Sequence, residues 1–184
     1  TAIAQAEIED SQRKTFLSTI NFDLVGSQEK ISIATTRPEL LPACVGIFVH
    51  PADGRYKKLL GKKARVPIFG QEVPIMEDEK VDQQFGTGIV MICTFGDKTD
   101  VEWWQKYSLP LKIVIDRAGR LTEKAGEFED LKIEEARGKI LAKLEADGRI
   151  AEQKQLEHSV NVHERCGTPM EIFISSQWNL KILE

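Results

Sequence analysis

Apolar and polar side chains alternate through residues 16–25, and this period of two constrains the fold more than any other feature of the chain. A strand sends successive side chains to opposite faces, so such a run lies half buried in a sheet. Gly26-Ser27-Gln28-Glu29 supplies a turn and residues 30–35 resume an extended pattern, which together read as a hairpin. Short apolar runs follow. Residues 45–49, closed by His50-Pro51, read as a buried strand, and 64–69 and 72–76 as strands joined at Gly70-Gln71. Pro67 and Pro74 remove ladder donors, which predicts an edge or a bulge for those two. Residues 88–94 are the most apolar stretch and are expected at the centre of the sheet. Residues 111–115, 155–163 and 170–178 are further expected strands, the last two around the turn Gly167-Thr168-Pro169.

Helical signals fall between these runs without a regular rhythm. A helical stretch is expected at 53–60, stopped by Gly61. A second is expected at 97–107, with Asp97 as N-cap and Asp100 at N3. The long one, 132–146, puts Ile133, Ala136, Ile140, Leu141 and Leu144 on one face and ends at Gly148. A doubly wound sheet needs strands and helices in strict alternation, which is missing. The reading is an α+β fold, a partly closed β-barrel with helices packed around it. A chain of 184 residues with 41% apolar content suffices for one such domain and its core.

Bulk chemistry excludes several classes. Three cysteines (Cys44, Cys93, Cys166) without paired spacing argue against a disulfide framework and for a reducing compartment. No run approaches the ~20 apolar residues of a membrane helix, and there is no signal-peptide pattern. The net charge of −4 rules out a polycation. Locally, however, Arg55, Lys57, Lys58, Lys62, Lys63 and Arg65 form a run without an acid, followed by an acidic stretch at 72–82. Such a run is a solvated face or a local contact with phosphates.

Three polar segments sit where strands end. Thr35-Thr36-Arg37-Pro38-Glu39 offers two hydroxyls, backbone amides and a guanidinium, groups able to hold an attacking water or a carbonyl oxygen. Phe85-Gly86-Thr87-Gly88 marks a bend that lets a ligand approach the backbone, with Phe85 as a stacking face or a core filler. Asp97 and Asp100 either cap a helix or cap it with one carboxylate and present the other to a ligand as a fixed anion. No nucleophile–histidine pair accompanies them. The pattern points to a pocket that recognises a small polar molecule and admits water, and away from a protease or esterase triad.

Together these segments resemble the editing domain inserted into class I aminoacyl-tRNA synthetases for valine, isoleucine and leucine, from about residue 30 to 178. Val49-His50-Pro51 with Asp53, Arg55 and Tyr56, and Val73-Pro74-Ile75 leading to Val81-Asp82, resemble the valyl branch. The stretch 94–104 resembles its archaeal type, with the isoleucyl branch next, and Gln177-Trp178 resembles the return strand to the catalytic domain. The resemblance implies a single domain over 1–184, with 1–15 and 179–184 as linker strands of a larger cytoplasmic synthetase. It implies hydrolysis of the ester of threonyl-tRNA(Val) by water, with no metal or cofactor in this domain and ATP and magnesium only in the full-length ligase. Partners would be the tRNA 3′ end and the rest of the synthetase chain, with no membrane. By the same resemblance Asp100 holds the substrate ammonium and Asp97 accepts from the threonine hydroxyl. Thr35, Thr36 and Arg37 organise ester, water and terminal nucleotide. Glu39, Phe85, Gly86, Thr87 and Gly88 complete the pocket. Departures from related patterns are Met91 for a lysine, Cys93 for a threonine, Gly96 for a histidine and Leu40 for a threonine. The alternatives are an isoleucyl editing domain acting on valyl-tRNA(Ile), and a module that grips a tRNA end without turnover. His158, His163 and Cys166 form a last constellation; His163-Glu164-Arg165-Cys166 has the spacing of half a zinc knuckle, but a structural site needs four ligands and no second Cys-x-x-Cys is present, so it reads as a strand end.

Overall fold

In the computed structural model of the chain, residues 7–94 and 96–173 are described. Strand β1 (Ile8–Leu24) runs antiparallel to β2 (Lys30–Thr35), with Ile20 opposite Ile33 and Phe22 opposite Ile31. The expected alternation is real: Ile20, Phe22, Leu24, Ile31 and Ile33 are buried while their neighbours along the strands are not. On its other edge β1 pairs with β7 (Ile150–His163) from Ile8 to Ile20. Beyond a register shift at Thr19/Ile20 it pairs with β4 (Lys63–Arg65). The sheet continues through β5 (Glu72–Glu77) and β3 (Cys44–Val49) to β6 (Ile89–Cys93), in the order β2-β1-β4-β5-β3-β6. Its two ends, β2 and β6, lie against each other, so the sheet curls into a partly closed barrel. Inside are Phe22, Leu41, Ile47 and Ile75, each fully or almost fully buried and each contributing about 1.5–3 kcal/mol by leaving water.

Two helices close the barrel. α1 (Lys98–Lys106) stacks Trp103 on Phe48 of β3 at a centroid distance of 5.1 Å, and the following Tyr107 meets the same ring at 4.9 Å. α2 (Ile133–Ala146) drives Ala136, Ile140 and Leu144 into the main core, then stops at Gly148, whose φ is 63°. A 3-10 turn at Pro38–Ala43 carries the chain from β2 to β3 and is buried throughout.

Several expectations are corrected. The helix at 53–60 is only a 3-10 turn at Lys57–Leu59: Asp53 Oδ1 takes the Arg55 N–H in a local turn, and Tyr56, Leu59 and Leu60 reach the core from there. The strand at 64–69 shrinks to β4, and the chain turns away at Pro67. Pro74 lies in an interior strand, not at an edge; parallel pairing of β5 with β3 begins one residue later, at Ile75, so its missing donor costs no bond to β3. β6 stands at the end of the strand order, not at its centre, and its apolar character comes from closure against β2 and the cover of α1. Residues 111–115 form no strand beyond a bridge from Ile115 to Leu121. Of the expected strand at 170–178, residues 170–173 have no strand assignment, and 174–178 lie outside the described residues. Of the two linkers, 8–15 are part of the β1–β7 ribbon, while 1–6 and 179–184 also lie outside the description. Among the described residues no helix is long and apolar enough to cross a membrane.

Candidate functional site

The C-terminal end of β2, the approach to β6 and the start of α1 converge on a cavity of about 360 Å³, a size that suits a small-molecule ligand. Thr35, Thr36, Arg37, Phe85, Asp97 and Asp100 all line it. Leu40, Met91 and Trp103 supply apolar wall, and Lys80, Asp82 and Thr99 add polar groups that were not among the expected site residues.

The start of α1 uses both of its acids. Asp97 caps the helix, its Oδ1 accepting from the Asp100 N–H at 2.9 Å, and its side chain is otherwise exposed. Asp100 is 8% exposed and accepts from the N–H of Gly96 (2.8 Å) and of Cys93 (3.4 Å). A carboxylate has about four acceptor positions, so capacity remains toward the cavity. Burial, with Asp97 adding like-charge repulsion, pushes the Asp100 carboxyl up to about 7, against the opposing pull of the backbone donors. A cation entering the cavity would relieve both effects. Gly96 permits this packing: a Cβ there would stand 2.6 Å from Asp100 Oδ2 and 3.2 Å from Leu40 Cδ1. Cys93, also on the wall, is no nucleophile, because neighbouring Cys44 and burial hold its thiol well above the usual range.

At the end of β2, Thr35 Oγ1 accepts from the Arg37 N–H at 3.0 Å, and the Arg37 guanidinium commits every nitrogen. Nε donates to Glu39 (3.1 Å), Nη1 to the Gly96 carbonyl (3.1 Å), and Nη2 to both oxygens of Glu171 (2.8 and 2.7 Å). Burial opposes its charge, yet Glu171 and Glu39 raise its pKa overall. Arg37 is thus a clamp between strand end and helix start. The expected role of Glu39 in binding substrate is corrected: it is fully buried and absent from the cavity wall, and its carboxylate is held by Arg37 and by Arg137 of α2 (2.8 and 2.9 Å). Sequence reasoning missed Arg137 and Glu171. The available signal for Arg137 was its place on the apolar face of α2, four residues after Ile133 and three before Ile140.

The Phe85–Gly88 bend is half wall and half scaffold. Phe85 is 53% exposed and presents its ring to the cavity, whereas Gly86, Thr87 and Gly88 do not line it, contrary to expectation. Their work is backbone geometry. Gly86 has φ 58° and sits so close to β2 that a Cβ would come within 2.6 Å of the Ala34 Cβ. The Thr87 carbonyl accepts from the Tyr56 hydroxyl at 2.7 Å. The basic run is partly neutralised, with Arg55 on Asp53 (2.6 Å), Lys58 near Glu29 (3.7 Å) and Arg65 on Glu72 (3.0 Å); Lys57, Lys62 and Lys63 are exposed. In the turn after β7, Cys166 Sγ lies 3.1 Å from Thr168 Oγ1 and 3.3 Å from His163 Nδ1, and Thr168 with His163 lowers the thiol to about 7. Among the described residues no three His, Cys, Asp or Glu side chains gather as a metal site.

The family model described as the editing domain of leucyl-tRNA synthetase matches residues 52–160. The chain belongs to this family of synthetase editing domains. It is 50% identical to the valine–tRNA ligase of Thermoplasma volcanium and 52% identical to that of Thermoplasma acidophilum. Both matches span all of this chain and 23% of the relative. The valine–tRNA ligase of Archaeoglobus fulgidus is 51% identical over 99% of the chain and 20% of its own length. The editing domain thus spans about a fifth to a quarter of these curated relatives. In fold it is similar to a leucyl-tRNA synthetase of Agrobacterium radiobacter K84 solved as a ternary complex with tRNA and LeuAMS. The TM-score is 0.59 at 18% identity, over 85% of this chain and 24% of that one. The α+β, barrel-like reading of the editing domain therefore holds.

Proposed function

We propose that this editing domain hydrolyses the ester of threonyl-tRNA(Val) after transfer, as part of a valyl-tRNA synthetase. The observation that carries the reading is the pair of carboxylates at the start of α1, one buried and one exposed, on a cavity also lined by Thr35 and Thr36. The relatives named above, all valine–tRNA ligases, support the valyl assignment. An apolar pocket rejects an isostere with an added hydroxyl only weakly, for which valyl-tRNA synthetase and threonine are the standing example, so a second sieve is needed.

In this reading Asp100, ionised by the approach of the substrate ammonium, fixes the amino acid. Asp97 accepts from the threonine hydroxyl. Valine has no such donor and would cover the free side of Asp97 without replacing the water it displaces, which disfavours its binding. Thr35 and Thr36 hold the ester carbonyl and the attacking water. Water adds to the carbonyl carbon, the bond to the 3′ oxygen of the terminal adenosine breaks, and that oxygen takes up a proton. Phe85 offers a face on which the terminal base stacks, worth about 1–3 kcal/mol. Arg37, with every nitrogen engaged, orients the helix start instead of binding the nucleotide. No step requires a metal or cofactor; ATP and magnesium serve the ligase reaction elsewhere in the synthetase. The partners are the tRNA 3′ end and the remaining synthetase domains, in the cytoplasm.

The test is release of threonine from threonyl-tRNA(Val), by the chain alone and within the full-length synthetase, with valyl-tRNA(Val) and valyl-tRNA(Ile) alongside. Preferential release of threonine is expected. Preferential cleavage of valyl-tRNA(Ile) would reassign the domain to the isoleucyl branch, and binding without any release would leave a gripping module.

A further inference from the structure

We propose that Arg137 of α2 is a positioning residue for the editing site, acting through Glu39 and Arg37 on the Gly96 loop that holds Asp100. The inference rests on the editing function proposed above, but its central measurement does not require turnover. Arg137 is absent from the cavity wall, so it touches no substrate bound there. It grips Glu39 with a two-point fork, Nη2 to Oε1 at 2.8 Å and Nε to Oε2 at 2.9 Å. Glu39 is fully buried, and its Oε1 also receives Arg37 Nε at 3.1 Å. Arg37 Nη1 donates to the Gly96 carbonyl at 3.1 Å, and the Gly96 N–H donates to Asp100 Oδ2 at 2.8 Å. With Glu171 on Arg37, two guanidiniums face two carboxylates and the cluster, with Glu39 buried at its centre, is neutral.

Remove the fork, and Glu39 is a fully buried anion with Arg37 as its remaining cation. A buried carboxylate in that position draws its partner into a two-point contact of its own. Arg37 can provide that by bringing Nη2 beside Nε onto Glu39, as in the Arg137 fork, which takes Nη2 from Glu171 and turns the guanidinium plane, and Nη1 with it, away from the Gly96 carbonyl. Asp100 packs closely on Gly96, where a Cβ would stand 2.6 Å from its Oδ2, so a shift of Gly96 carries to that carboxylate. Asp100 then loses a donor that favours its ionised form. The charged and titratable groups facing it are Asp97 at the helix start and the Cys93 thiol of β6; Cys44 of β3 and Arg37 at the end of β2 act on that thiol in turn.

The experiment follows the Asp100 carboxyl carbon by NMR titration in the 184-residue chain, as wild type, Arg137→Gln and Arg137→Lys. Alongside it, kcat and KM are measured on threonyl-tRNA(Val). Expected for Arg137→Gln are a midpoint moved up by about half a unit or more and a kcat reduced about a hundredfold, as for a misplaced catalytic group, with KM changed far less. Arg137→Lys keeps the charge without the fork. It should regain most of the thermal stability but neither the midpoint nor kcat. An Asp100 midpoint identical to wild type, with kcat falling only in proportion to the folded fraction, would overturn the proposal. If Arg137→Gln does not fold, Arg137→Lys decides by the same two readouts. If wild type releases no threonine, the editing reading fails, and the titration still decides whether Arg137 is coupled to Asp100.

Discussion

Replacing Asp100 by asparagine should make the domain more stable above neutral pH while removing its hold on the substrate. The folded carboxyl titrates near 7 instead of at its ordinary value of 3.8, because of burial and the nearby Asp97. A raised carboxyl pKa means that the folded state binds the proton more tightly than the unfolded one. Stability is therefore greatest below the unfolded value and declines as pH climbs from about 4 to about 7, then levels off. Roughly three units at 1.36 kcal/mol each set an upper limit of about 4 kcal/mol lost across that window. The asparagine side chain has no such titration. Its amide oxygen can keep one of the two backbone donors now shared between Gly96 and Cys93, and its NH2 must face the other, which offsets part of the gain. We expect a net advantage of about 1–3 kcal/mol for Asp100→Asn at pH 8, shrinking to nothing or reversing at pH 4.5. Urea unfolding at constant ionic strength, repeated every half unit of pH, measures the difference directly. A non-hydrolysable threonyl-adenosine analogue should narrow the gap at pH 8, since it stabilises only the wild type. Parallel stability curves for the two proteins would refute the assignment of a buried, ligand-seeking charge to Asp100.

Asp97→Asn keeps a residue that caps helices equally well, so the melting temperature should hardly move while discrimination between threonyl- and valyl-tRNA(Val) falls by about 10- to 100-fold; equal losses of fold and threonine release would make Asp97 a cap only. Changing Lys57, Lys62 and Lys63 together to glutamine should flatten the slope of log affinity against log salt for tRNA by about 2–3, and an unchanged slope removes this face from the interface. Gly96→Ala places a methyl 2.6 Å from Asp100 Oδ2 and should cost about 1–3 kcal/mol in a thermal or urea melt together with most threonine release; full activity would show that the loop can give way around Asp100 after all.

Much of the scaffold was legible because its signals are local. The alternation along β1 and β2, the Asp97 cap, the apolar stripe of α2 and the Gly148 stop each depend on a few neighbouring residues, and each is present as read. Misreadings arose where distant cover overrides local pattern. β6 looks central because it is apolar throughout, yet it owes that burial to closure and to α1. The 53–60 segment has a plausible helical composition, but Asp53 draws its start into a local turn and only Lys57–Leu59 is helical, as a 3-10 turn. In the site, Thr35, Thr36, Arg37, Phe85, Asp97 and Asp100 do share one cavity, as their positions at element ends suggested.

From its residues alone the chain determines the strands, the caps, the turns, and which polar groups stand at element ends, since backbone sterics and side-chain periodicity act over only a few positions. The division of labour among those groups is a tertiary outcome. Glu39 is buried and anchored because Arg137, 98 residues away, reaches it from the half-exposed face of α2. The Asp100 carboxyl titrates far above its ordinary value because folding removes it from water and sets Asp97 beside it. Desolvation and long-range pairing exist only once the barrel has closed.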